Sequence, residues 1–166
     1  RNPLAEPGLI GISGSAALGA VLSLQTGFAA AFWLALPLSA LGMSFFAVLL
    51  IMFLAGKQGR SLTLILAGIA ISALAGAMLS LVLNLSPNPY ATAEIVFWMM
   101  GSLADRSFNH VWLALPFCVL GSVMLLSIGP ALNALTLGED TAQTMGISLV
   151  NTRYILVIGV AAMIGA

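Results

Sequence analysis

Glu139 and Asp140 stand side by side in residues 133–151, the long segment that lacks a transmembrane signal. Thr136 and Glu139 have the spacing of a capping box, in which the hydroxyl and the carboxylate satisfy the first free N–H groups of a helix. Both carboxylates would then lie in the first turn, where the helix dipole favours negative charge. Gly146 is placed to end that helix in a left-handed conformation. The pattern predicts a short, self-terminated helix. Two readings stay open: a connecting loop, or a docking element presented to a soluble partner.

Elsewhere the residues that do chemistry are sparse. His110 is the single histidine and precedes Val111 and Trp112, which suits a structural residue at a membrane interface. Gly56-Lys57 lacks the upstream glycine and following hydroxyl of a phosphate loop, so any ATP would be bound by another polypeptide. Cys118, the one cysteine, lies in an apolar run and reads as an inert thiol. No carboxylate or lysine lies in the middle of an apolar run; such groups are costly in lipid and mark ion relays. The sequence implies no catalytic residues, no metal and no cofactor. Net charge is zero and the basic residues are scattered, which gives nucleic-acid binding no support.

The elements that must carry these residues follow from composition. Hydrophobic residues make up 61% of the chain and charged residues 6%, against about 25% charged in a soluble domain. Residues 7–56 and 61–93 contain no charged side chain. A helix needs about 20 apolar residues to cross a bilayer, so the first stretch suits two spans. The class expected is all-α, a polytopic transmembrane helix bundle forming one domain over residues 1–166. Spans are expected at 9–24, 33–54, 62–83, 111–128 and from 154, the last running into Ala166. The start at Arg1 and this cut suggest a segment of a longer chain. Residues 91–103 read as a short amphipathic helix at the interface, after a loop at 86–90.

Small residues from Gly11 to Ala20 predict that the first span is packed inside the bundle, because small side chains let helices approach closely in lipid. On the third span, Gly68, Ser72, Gly76, Ser80 and Asn84 recur every fourth residue. They form either a packing seam or one wall of a polar pathway. Four of the five basic residues, Arg1, Lys57, Arg60 and Arg153, fall on one side if spans alternate, with Arg106 on the other. The positive-inside rule makes that side cytoplasmic.

Four ordered motifs resemble a known family. Arg1-Asn2-Pro3-Leu4-Ala5-Glu6-Pro7 and the following residues to Ser13 resemble the NPLA-P-LLGIS signature of the FecCD permeases. Leu66-Ala67-Gly68-Ile69-Ala70, Trp98-Met99-Met100-Gly101-Ser102-Leu103 and Leu137-Gly138-Glu139-Asp140-Thr141-Ala142 through Met145-Gly146 are similar to its later motifs. The resemblance implies part of a ten-helix permease subunit of a type II ABC importer in the bacterial inner membrane. The cargo implied is an iron-siderophore, haem or cobalamin. Implied partners are a second permease subunit, most simply an identical copy, cytoplasmic ATPase subunits and a periplasmic substrate-binding protein. It also implies that residues 137–146 are the coupling helix gripped by the ATPase, and that the third span lines the pathway. An ion-gradient-driven secondary transporter and a structural membrane subunit without a pathway are the competing readings.

Overall fold

A computed structural model describes residues 11–56, 61–86, 89–101 and 108–165. Arg1, Lys57, Arg60 and Arg106 lie outside these, as do the amino-terminal motif as far as Ile10, Ser102, Leu103 and residues 87–88. The side chains of Glu94 and Trp98 lie outside them too. Among the described residues all regular structure is helical. An apolar run in lipid must satisfy every backbone N–H and C=O internally, and a helix does so within one segment.

The helices are α1 (Ile12–Gln25), α2 (Ala35–Ala55), α3 (Ser61–Asn84), α4 (Pro89–Met99), α5 (Phe108–Ser127), α6 (Gly129–Leu135), α7 (Glu139–Thr144) and α8 (Leu149–Gly165). A single 3-10 turn at Phe28–Ala30 joins α1 to α2. Helices at Ala35–Ala55, Leu62–Asn84 and Phe108–Ser127 are long and apolar enough to cross a membrane. At a rise of about 1.5 Å per residue they match a hydrocarbon core of about 30 Å. α1 and α8 are shorter apolar helices of 14 and 17 residues.

α1 is the enclosed helix. Ile12, Ser15, Ala16, Leu18, Gly19, Ala20, Val21 and Ser23 are buried. Its small side chains set the approach of its neighbours. A Cβ on Gly19 would strike the Ser39 carbonyl and Met43 of α2, and one on Gly11 would lie 2.6 Å from the Ser72 backbone nitrogen of α3. Gly14 faces Ala75, and Gln25 Nε2 donates to the Val82 carbonyl at 3.4 Å, so α1 and α3 run parallel. α8 runs antiparallel to α2, with Gly165 against Leu41 and Ser44, and antiparallel to α5, with Gly159 against Leu125 and Gly121. Ile12, Val48, Ile51, Ile71, Val157 and Ala161 form the core between α1, α2, α3 and α8. Hydroxyls inside this core bond to carbonyls of their own helix: Ser15 Oγ donates to Gly11 and Ser44 Oγ to Leu41, each at 2.8 Å.

Two helix starts differ from the sequence expectation. α8 begins at Leu149, ahead of residue 154, because Ser148 starts it: the Asn151 N–H donates to Ser148 Oγ at 3.4 Å and Leu149 is buried. The helix expected at the interface, α4, begins at Pro89, inside the expected loop, since proline's fixed φ suits a first helical turn. It ends by Met99, ahead of Gly101 at φ 78°. α5 continues through Pro116, which sequence reading left unremarked.

Candidate functional site

The chain between α5 and α8 folds into two short helices. Pro130 lies in the first turn of α6, where a missing N–H costs nothing. The end of α6 is closed by Thr136, whose hydroxyl donates to the Asn133 carbonyl at 2.6 Å. The chain then turns at Gly138 (φ 107°, ψ 154°), and α7 starts on Glu139. The capping box expected of Thr136 and Glu139 is therefore absent. Gly138 occupies the cap position of α7, and Thr136 turns back to α6 because it lies two residues too early.

The end of α7 matches the expected stop. Gly146 has φ 84°, and its N–H donates to the Gln143 carbonyl at 2.9 Å. The Ile147 N–H donates to the Ala142 carbonyl at 3.1 Å. These two bonds form the Schellman arrangement, and the left-handed residue they need is a glycine at little steric cost. The same cap folds Ile147 back to pack against the cluster of Ala134, Ala142 and Leu149. α7 is thus pinned by one apolar face, with Ala142 fully buried.

Its other face is free of the bundle. Leu137 is 66% exposed and Met145 61% exposed, with Asp140, Thr141, Gln143 and Thr144 exposed between them. Glu139 and Asp140 occupy the first turn, where their charge meets the positive end of the helix dipole. Glu139 also reaches α8: the Arg153 guanidinium donates to its Oε1 at 2.9 Å, with side-chain exposures of 35% for Glu139 and 19% for Arg153. Sequence reading used Arg153 only for topology. No local spacing signals this pair, because a folded connection separates its members.

Arg153 and Tyr154 line a small cavity with Met52, Ala55 and Gly56 of the α2 end and Leu64 of α3. The end of α2 and the α7 segment therefore share one end of the bundle. The five positions of the α3 seam divide. Gly68 is buried and Ser72 half-buried, both against Gly11. Gly76, Ser80 and Asn84 are exposed, and Asn84 Nδ2 donates to the Ser80 carbonyl at 2.8 Å. The packed line of α3 is Ala67, Ile71 and Ala75, adjacent to the seam and leaving its upper half outside. His110 is exposed at the start of α5, and Cys118 is half-buried on it.

Apolar spanning helices joined by small-residue contacts, with one short acidic-started helix held at the end of the bundle, define a multi-pass α-helical membrane protein. The chain belongs to the FecCD transport family, whose model matches residues 1–166. It is 34% identical over 166 residues to the vitamin B12 import system permease protein BtuC of Photorhabdus laumondii, covering 99% of this chain and 49% of that one. It is 33% identical over 174 residues to the ferric enterobactin transport system permease protein FepD of Escherichia coli, covering 100% of this chain and 50% of that one. A solved structure described as a metal-chelate type ABC transporter in an inward-facing conformation superposes with a TM-score of 0.88 at 30% identity, covering 99% of this chain and 52% of that one. The chain spans about half the length of the curated relatives it matches.

Proposed function

We propose that this chain is part of the permease subunit of an ATP-driven importer in the bacterial inner membrane, carrying an iron chelate, haem or cobalamin. The observation that carries the reading is α7: a helix pinned by Ala142 on one face, with Leu137, Asp140 and Met145 exposed on the other, in a chain of the FecCD family. In this reading residues 137–146 dock into a cytoplasmic ATPase subunit: Leu137 and Met145 supply apolar anchors, and Glu139 and Asp140 supply charge. Gly138 and Gly146 give the turns that project the helix, Thr141 lies on its surface, and Ala142 holds it to α6.

In this reading ATP hydrolysis belongs to the partner subunit, and these 166 residues carry no phosphate loop. A second copy of the permease would complete the pathway, and a periplasmic binding protein would deliver the cargo. Gly76, Ser80 and Asn84 are the seam positions available to line that pathway, while Gly68 and Ser72 serve helix packing. The glycine contacts of α1 and α8 suit a bundle that alternates its opening, because helix backbones approach closely at Gly11, Gly19 and Gly165. α1, α2, α3, α5 and α8 hold no carboxylate, which argues against an ion-gradient mechanism within this segment.

The full-length permease, reconstituted with its ATPase and binding protein, should accumulate radiolabelled cobalamin or ferric enterobactin only when ATP is supplied. Uptake driven by an imposed ion gradient without ATP would reject the importer in favour of the secondary transporter.

A further inference from the structure

α7 packs on α6 and α8, and its apolar anchorage is small: Ala142 lies against Ala134 and Leu149, with Leu135 and Ile147 beside them. Such contacts are non-directional and allow one helix to tilt or slip on another. The bond from Arg153 to Glu139 is different. It is a charge-assisted hydrogen bond of 2.9 Å joining the first turn of α7 to the second turn of α8, and Arg153 is mostly shielded from water. Charge-assisted bonds are short, strong and directional, so they resist displacement of their ends.

α8 is also the helix placed to carry a displacement onward. It packs along α2 and α5, with a glycine in each contact and Val157 and Ala161 in the shared core. A Cβ on Gly165 would lie 2.7 Å from Ser44 Oγ and 3.1 Å from the Leu41 Cα, and Gly159 lies against Leu125 and the Gly121 carbonyl. Smooth surfaces of this kind let α8 shift along its neighbours.

We propose that Arg153 is a positioning residue that ties α7 to α8, so that a pull on the docking helix moves α8 against α5. The proposal rests on the reading of α7 as an ATPase-docking helix. The two fail differently in one experiment. The full-length permease is assembled with its ATPase in liposomes, with Cys118 and any further cysteine of the full-length chain replaced by serine. Spin labels are placed at Leu126→Cys on α5 and at either Thr144→Cys on α7 or Asn151→Cys on α8, all exposed positions, and because residue 144 lies in the docking helix only labelled variants that keep the unlabelled importer's ATPase rate are read.

In the otherwise native protein, ATP should shift both distances. In Arg153→Met the 126–144 shift should persist, while the population showing the 126–151 shift falls about tenfold, the factor equivalent to one charge-assisted hydrogen bond. Arg153→Lys should restore most of it, since an ammonium can still reach the carboxylate. An unchanged 126–151 shift in Arg153→Met overturns the proposal. Loss of both shifts in Arg153→Met also overturns it, because Arg153 would then merely hold α7 in place. If ATP moves neither distance in the native protein, the docking reading falls and takes the link with it.

Discussion

Replacing Gly121 by alanine should loosen α5 from the rest of the bundle. Gly121 is the buried residue of α5, and the spanning window of that helix is only 6% buried. Among the described helices its packing is mainly with α8. A Cβ at position 121 would lie 2.5 Å from Met163 Cγ and 2.7 Å from the Gly159 carbonyl oxygen. The Met163 side chain is 39% exposed and can swing aside, but the carbonyl belongs to the α8 backbone and cannot. Restoring ordinary contact requires α5 to withdraw by about 0.7 Å at the crossing, and a gap of that size forfeits a quarter to a half of each lost dispersion contact. Overpacking of this kind costs about 1–3 kcal/mol. Alanine gains back about 0.5–1 kcal/mol over glycine inside a helix. Taking the middle of each range, the net loss of about 1.2 kcal/mol corresponds to a fall of roughly 2–5 °C in unfolding midpoint for a chain of this size. Cys118, half-buried on the same helix, reports the event: its reaction with a fluorogenic maleimide on heating in detergent gives the midpoint. Gly42→Ala is the control, since no atom lies within 4 Å of its Cβ, and it should leave the midpoint unchanged or raise it. A Gly121→Ala midpoint equal to the native one, or an equal fall in Gly42→Ala, would refute the reasoning.

Glu139→Lys combined with Asp140→Lys should abolish ATP-driven uptake while the bundle still inserts and folds, because both charges oppose the helix dipole and the proposed partner surface; retained uptake with normal stimulation of the ATPase would reject this. Gly138→Ala forces a side chain into φ 107°, ψ 154°, a conformation that costs about 1–3 kcal/mol outside glycine. Faster proteolytic cleavage between residues 136 and 146 should follow, and native-like resistance would show that α7 does not need this turn. On α3, cysteines at positions 76, 80 and 84 should react with a water-soluble maleimide in the assembled importer and one at 68 should not. Uniform protection of all four would assign the seam to packing alone.

The residues themselves account for how much of this arrangement was legible. The uncharged runs identify the helices because lipid leaves the backbone no alternative, and the small residues of α1 mark it as the enclosed one. Gly146 announced the end of α7, since a left-handed residue with a following apolar side chain is a local signal. Thr136 misled because its hydroxyl can donate to a free carbonyl at the end of α6 or accept from a free N–H at the start of α7, and the end of α6 claimed it. The seam on α3 misled in part for a rotational reason. A repeat of four drifts around a helix of 3.6 residues per turn, so Gly68 and Ser72 face α1 while Gly76, Ser80 and Asn84 have turned away. Glu139 and Arg153 are beyond any local reading, since the cap at Gly146 and the start at Ser148 must both form before the two side chains meet.

The distribution of polar and apolar contacts has a mechanical consequence. Within the spans the short hydroxyl bonds of Ser15 and Ser44 stay within one stretch of chain, and the bonds that cross between helices, Ser44 to the Ala161 carbonyl at 3.5 Å and Gln25 to the Val82 carbonyl at 3.4 Å, are long. Cohesion there comes from close approach at Gly11, Gly19, Gly121 and Gly165, and dispersion forces between smooth surfaces resist separation more than sliding. A strong directional contact between α7 and α8 stands at the end of the bundle, where the chain leaves the apolar helices. A structure arranged in this way moves as helices that shift along one another, and force enters it most effectively where a directional bond meets a helix that glycine has left free to slide.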